Sequence, residues 1–137
     1  MGYETFDHTA DIGIRAWGSE FSQVFEEAAK ALFSVMADLK TVSPRQKVKI
    51  ELAKDSGEEL FLTWLKELLF IFETRRLLLC EFKILGLTSH SLSAEVRGET
   101  LDNFKHSLGR EVKAITLHQF KLTKDQGRCL AEVILDI

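Results

Sequence analysis

The chain has 137 residues, with 18 Lys and Arg against 21 Asp and Glu, for a formal net charge of −3. A length and hydrophobic content this ordinary predict one globular domain with a core of its own. The acidic balance argues against a sequence-independent nucleic-acid binder, and no apolar run is long enough to span a bilayer.

The acidic excess is local. Residues 1–42 hold 3 basic and 7 acidic side chains, residues 43–98 hold 9 and 8, and residues 99–137 hold 6 of each. No signal peptide is read at the start, and the two cysteines, Cys80 and Cys129, show neither a C-x-x-C nor a zinc spacing. Both are expected to be buried, reduced thiols in a cytoplasmic protein.

In chain order, Thr5-Phe6 suits a first strand and His8-Thr9-Ala10-Asp11 a turn. Ile12, Ile14 and Ala16 then alternate as a second strand. Ser19 is the expected N-cap of an amphipathic helix carrying Phe21, Val24, Phe25, Ala28, Leu32, Val35 and Met36 at helical spacing. Ser43-Pro44 ends that unit. Lys47 to Leu52 alternates as a strand, and Ser56-Gly57-Glu58-Glu59 reads as a capping box. A second helix follows, with Leu60, Phe61, Trp64, Leu68, Ile71 and Phe72 on its apolar side. Leu78 to Leu85 and Leu92 to Val96 are the next two strands.

The last third holds a polar loop from Glu99 to Arg110 and two strands, Ala114 to Leu122 and Cys129 to Ile137, turned at Asp125-Gln126-Gly127. Ile115 and Leu117 are out of phase with Phe120 and Leu122, which predicts one extra residue, a bulge, at His118 or Gln119. The order implies an α+β fold in which one strand–helix–strand–strand module is inserted into a second, with two helices packed on β-sheet. The outer module would be residues 1–42 plus 99–137 and the inserted one 43–98.

Few constellations carry chemistry. His8 and Asp11 can ligate a metal or act as acid and base; equally, Asp11 can cap its turn and His8 can be a packed surface histidine. Asp136 shares parity with Ile134 and Leu130, where an ionised carboxylate needs a partner or a cation unless the end frays. The mixed charges from Glu99 to Lys113 read as a solvated face, with Lys113 placed to face the acids. His118, at the expected bulge, is either re-aimed at a site or a satisfied core or edge histidine. No Walker A loop, G-x-G-x-x-G, G-x-S-x-G or H-E-x-x-H is present.

These residues resemble the archease family over essentially the whole chain. The motifs that carry the resemblance are His8-Thr9-Ala10-Asp11-Ile12-Gly13 with Trp17-Gly18, and Thr63-Trp64-Leu65-Lys66-Glu67-Leu68-Leu69. Further along come Gly98-Glu99 with Asp102, Lys105 and His106, then Val112-Lys113-Ala114-Ile115-Thr116, and the terminal Leu135-Asp136-Ile137. Leu117 departs from the family's usual tyrosine. The resemblance implies a protein cofactor of the GTP-dependent tRNA-splicing ligase, itself no enzyme, that promotes guanylylation of the ligase and meets RNA only through it. It also implies a divalent cation, typically Ca²⁺, held by Asp11, Asp136 and Ile137, with His8, Lys113 and His118 nearby or facing the partner. Oxygen ligands suit such a hard cation. The alternatives from other classes are a small metal-dependent phosphohydrolase and a chaperone-like interaction module.

Overall fold

The computed structural model describes residues 1–137. β1 (Gly2–His8) and β2 (Asp11–Gly18) form a hairpin and lead into α1 (Phe21–Met36). A short 3-10 turn precedes β3 (Gln46–Ala53), α2 (Gly57–Arg75), β4 (Leu77–Leu87) and β5 (Ser91–Thr100). A loop then leads to β6 (Ala114–Ile115), β7 (Lys121–Asp125) and β8 (Arg128–Asp136). The fold is α+β: two helices lie on two antiparallel sheets. One sheet runs β1-β2-β8-β6, with β7 sharing the edge of β8 alongside β6; the other runs β3-β5-β4. No helix is long and apolar enough to cross a membrane.

α1 packs on β1, β2 and β8 and also against β4, whereas α2 packs on β3, β4, β5 and β6. This double duty explains why α1 buries more of its circumference than an amphipathic stripe requires: Ala29, Ala31 and Phe33 join the expected Val24, Phe25, Ala28, Leu32, Val35 and Met36. Trp64 of α2 is fully buried and its indole Nε1 donates to the Phe25 carbonyl of α1 at 2.9 Å, so one hydrogen bond ties the helices together.

Three local expectations are corrected. The N-cap of α1 is Glu20, without a side-chain bond, because Gln23 Oε1 turns back to accept from Ser19 N at 2.8 Å. Ser56 does cap α2, accepting from Glu59 N at 3.2 Å. The strand expected from Ala114 to Leu122 breaks into β6 and β7. Ile115 pairs with Leu135 and Lys121 with Glu132, so six steps along this edge face three along β8, an excess of three residues. Residues 116–120 therefore leave the sheet as an excursion, with Gln119 in the left-handed region at φ 54°. Of the cysteines, Cys129 is buried but Cys80 only half-buried; both are free. Burial and the nearby Glu81 and Glu99 charges push the Cys80 thiol up to about 11, so it stays protonated and unreactive.

The turn from β7 to β8 is a two-residue loop. Gln126 and Gly127 both have positive φ, 51° and 76°, the pairing that matches the strand twist of a tight hairpin.

Candidate functional site

The two faces of the five-stranded sheet follow from strand parity. Ile14, Ala16, Ala131, Val133 and Leu135 point at the helices and are buried. The alternate residues lie on the outer face in cross-strand rows. One row is Glu4, Arg15, Glu132 and Lys121. Arg15 bridges it, bonding Glu4 and, through Nε at 2.7 Å, Glu132. The next row is Phe6, Gly13 and Ile134. Glycine makes room here: a Cβ on Gly13 would lie 2.2 Å from the Phe6 ring, which would have to move aside.

The row at the sheet end gathers the candidate residues. His8 pairs with Asp11 across the first hairpin. Ile12 pairs with Leu135, and the same register carries Asp11 to Asp136 one rung further on. Asp136 in turn pairs with Ala114 of β6, and its carbonyl accepts from Lys113 N at 2.7 Å. The hairpin that sets His8 against Asp11 places Thr9 at φ 54°, a conformation costly for a β-branched residue, on the order of 1–3 kcal/mol.

Asp11 is half-buried, Asp136 exposed, and neither carboxylate makes a hydrogen bond or an ion pair. Asp136 thus shares the face of Ile134 and Leu130 as expected, but solvent reaches it, and the burial cost anticipated for it is not incurred. Ile137 follows it, half-buried.

The excursion at 116–120 closes over this corner. Thr116 holds it through N and Oγ1, both donating to the Ile134 carbonyl at 3.0 and 2.9 Å. Ile134 is 2% exposed although it sits on the outer face. His118 stands beside His8, ring centroids 5.2 Å apart with planes at 62°. His118 is exposed, so it is no core histidine, and its ring lies against that of His8. Lys113 is also exposed, and its link to the acids runs through its backbone, with no side-chain ion pair. No group of three or more His, Cys, Asp or Glu side chains is assembled anywhere in the chain at metal-binding range.

One polar cluster escaped the reading of the charged loop as a solvated face. Glu99, at the end of β5, is 7% exposed and His106 5%. His106 Nδ1 accepts from Asp102 N at 2.9 Å, which leaves Nε2 to donate to Glu99 Oε2 at 2.9 Å. Lys105 Nζ lies 2.7 Å from the same oxygen, Ser43 N donates to it at 2.8 Å, and Arg45 approaches the other oxygen at 3.3 Å. The His106 bond foremost, then Lys105 and Ser43, hold the Glu99 carboxyl at about 2. This network fixes the start of the loop that runs to Lys113.

Comparison with known proteins gives the family and the fold. The archease protein family matches residues 3–137. A protein archease of Methanosarcina barkeri is 36% identical over 98% of this chain and 95% of its own length. One from Methanopyrus kandleri is 35% identical over the whole of both. A solved structure from Methanobacterium thermoautotrophicum covers 99% of each chain at 36% identity with a TM-score of 0.86. A crystal structure of an archease from Thermotoga maritima, described as a possible chaperone, has a TM-score of 0.70 over 98% of this chain and 96% of its own. At 18% identity it speaks to the fold alone.

Proposed function

The chain belongs to the archease family, and from that premise we propose that it activates a GTP-dependent tRNA-splicing ligase, the enzyme that joins RNA 3′-phosphate and 5′-hydroxyl ends. In this reading it promotes guanylylation and repeated turnover, working with a divalent cation, Ca²⁺ by preference, at Asp11, Asp136 and Ile137. The observation that supports it is the register that sets Asp11 beside Asp136 with both carboxylates free of any protein partner. Four carboxylate oxygens without donors suit a hard cation. When bound, such an ion supplies positive charge for phosphate oxygens. The chain's own part is positional. β2 and β8 set the two acids opposite each other on one rung, Gly13 leaves room for the Phe6 ring one cross-strand row inward, and the Lys113–Asp136 backbone bond holds the last strand in the sheet.

The test is multiple-turnover RNA ligation by a cognate ligase with GTP and metal. The wild-type chain should stimulate it, and Asp11→Ala and Asp136→Ala should each lose most of the stimulation while remaining folded. Absence of stimulation, or full stimulation by Asp11→Ala, would sink the reading.

A second reading, a chaperone-like interaction module, draws on bare apolar side chains. Phe104 is fully exposed, Leu117 67% and Leu108 49%, side chains that an apolar partner surface would cover. In the same assay, suppressed aggregation of the ligase with guanylylation unchanged would favour it.

A further inference from the structure

One atom at the corner is left over by a cation bound to carboxylate oxygens. His8 Nδ1 is closed off from solvent and has no hydrogen-bond partner, a rare condition for a buried ring nitrogen. The neighbouring ring, His118, is anchored through its backbone N–H, which donates to Thr116 Oγ1 at 3.3 Å, and its imidazole makes no hydrogen bond of its own. The two rings come from separate elements, the end of β1 and the excursion between β6 and β7. Their centroids are nonetheless only 5.2 Å apart. Two imidazoles sharing one tetrahedral cation, with metal–nitrogen bonds of ~2.0–2.1 Å, hold their centroids roughly 5 Å apart.

We propose that His8 and His118 form a second cation site, separate from the carboxylate oxygens, for a borderline divalent ion of the Zn²⁺ or Co²⁺ class. Imidazole nitrogen favours such ions, whereas Ca²⁺ and Mg²⁺ prefer oxygen. No third His, Cys, Asp or Glu completes the set, so exchangeable ligands would fill the remaining positions from the side of the exposed His118. A bound ion would pin the 116–120 excursion to the first hairpin and give the orphaned His8 nitrogen its partner. The proposal concerns the isolated chain and does not depend on ligase activation.

The experiment titrates the full chain with Co²⁺ and follows its visible absorption together with heat of binding. One Co²⁺ per chain is expected to bind with a tetrahedral-type spectrum and to resist excess Ca²⁺. His8→Gln and His118→Ala should each weaken binding ~10-fold or more, at least the cost of losing an outer-sphere partner. Asp136→Asn should leave it in place. Unchanged affinity in both histidine variants, full displacement by Ca²⁺, or no binding by wild type would overturn it. A second readout needs no variant: Co²⁺ should broaden the ring resonances of His8 and His118 in the wild-type protein. Broadening confined to Asp11 and Asp136 would overturn the assignment.

Discussion

Glu99 remains ionised inside a nearly closed site because four donors meet its two oxygens. His106 supplies the strongest of these contacts, followed by Lys105 and Ser43 N, and together they hold the carboxyl at about 2 against an ordinary 4.5. The folded state therefore binds its proton later than the unfolded chain does. A carboxyl depressed on folding adds stability that is complete above its unfolded pKa and is lost as pH falls through the folded one. The window here runs from about 4.5 down to about 2. Glu99→Gln should lower the melting temperature at neutral pH, and its deficit against wild type should shrink as pH drops through that window. Melting curves of both proteins from pH 7 to pH 2 measure this; a deficit that does not change with pH would show that the charge is not what Glu99 contributes. Nothing in the residue types around Glu99 announces the network. Ser43 and Arg45 lie 56 and 54 positions away in the chain, so a carboxylate that looks solvated locally is closed off by tertiary partners.

The helices depend on one another more than their sequences suggest. Trp64 Nε1 donates to the Phe25 carbonyl inside the core. Trp64→Phe removes that donor and leaves space where the indole was, and should cost about 2 kcal/mol. Urea denaturation reads it directly: the midpoint should fall with the slope unchanged. Elements whose signals are local were legible in the chain itself: the N-cap at Ser56, the alternation of β2 and β3, the turn at Gln126-Gly127. The phase break between Ile115 and Phe120 correctly flagged an irregular edge, yet the number of extra residues was out of reach. That number depends on which residues of β8 the two halves select, and parity distinguishes odd from even but not one from three. The corner was half legible for the same reason. Asp136 could be assigned to the face of Ile134, but its position beside Asp11 depends on the β2–β8 register, and the meeting of His8 with His118 depends on how far the excursion folds back.

Across the whole molecule, the proposed oxygen site joins the beginning of the chain to its end. Asp11 opens β2 and Asp136 closes β8, and these strands form the middle of the five-stranded sheet. Two unpaired carboxylates directly opposite each other on one rung repel, and at this end of the sheet no protein cation answers them: Lys113 reaches Asp136 only through its backbone. A divalent ion there would remove the repulsion and tie the first hairpin to the last strand. An ion that binds the folded chain alone adds stability by mass action, about 2.7 kcal/mol at a hundredfold excess over its dissociation constant. Added Ca²⁺ should therefore raise the melting temperature in a saturable way and slow amide exchange at Leu135 and Asp136. Asp136→Asn should abolish the increment and, by relieving the repulsion, melt no lower than the metal-free wild type. An equal rise in wild type and Asp136→Asn would place the stabilising ion elsewhere and remove the oxygen site from the account of this corner.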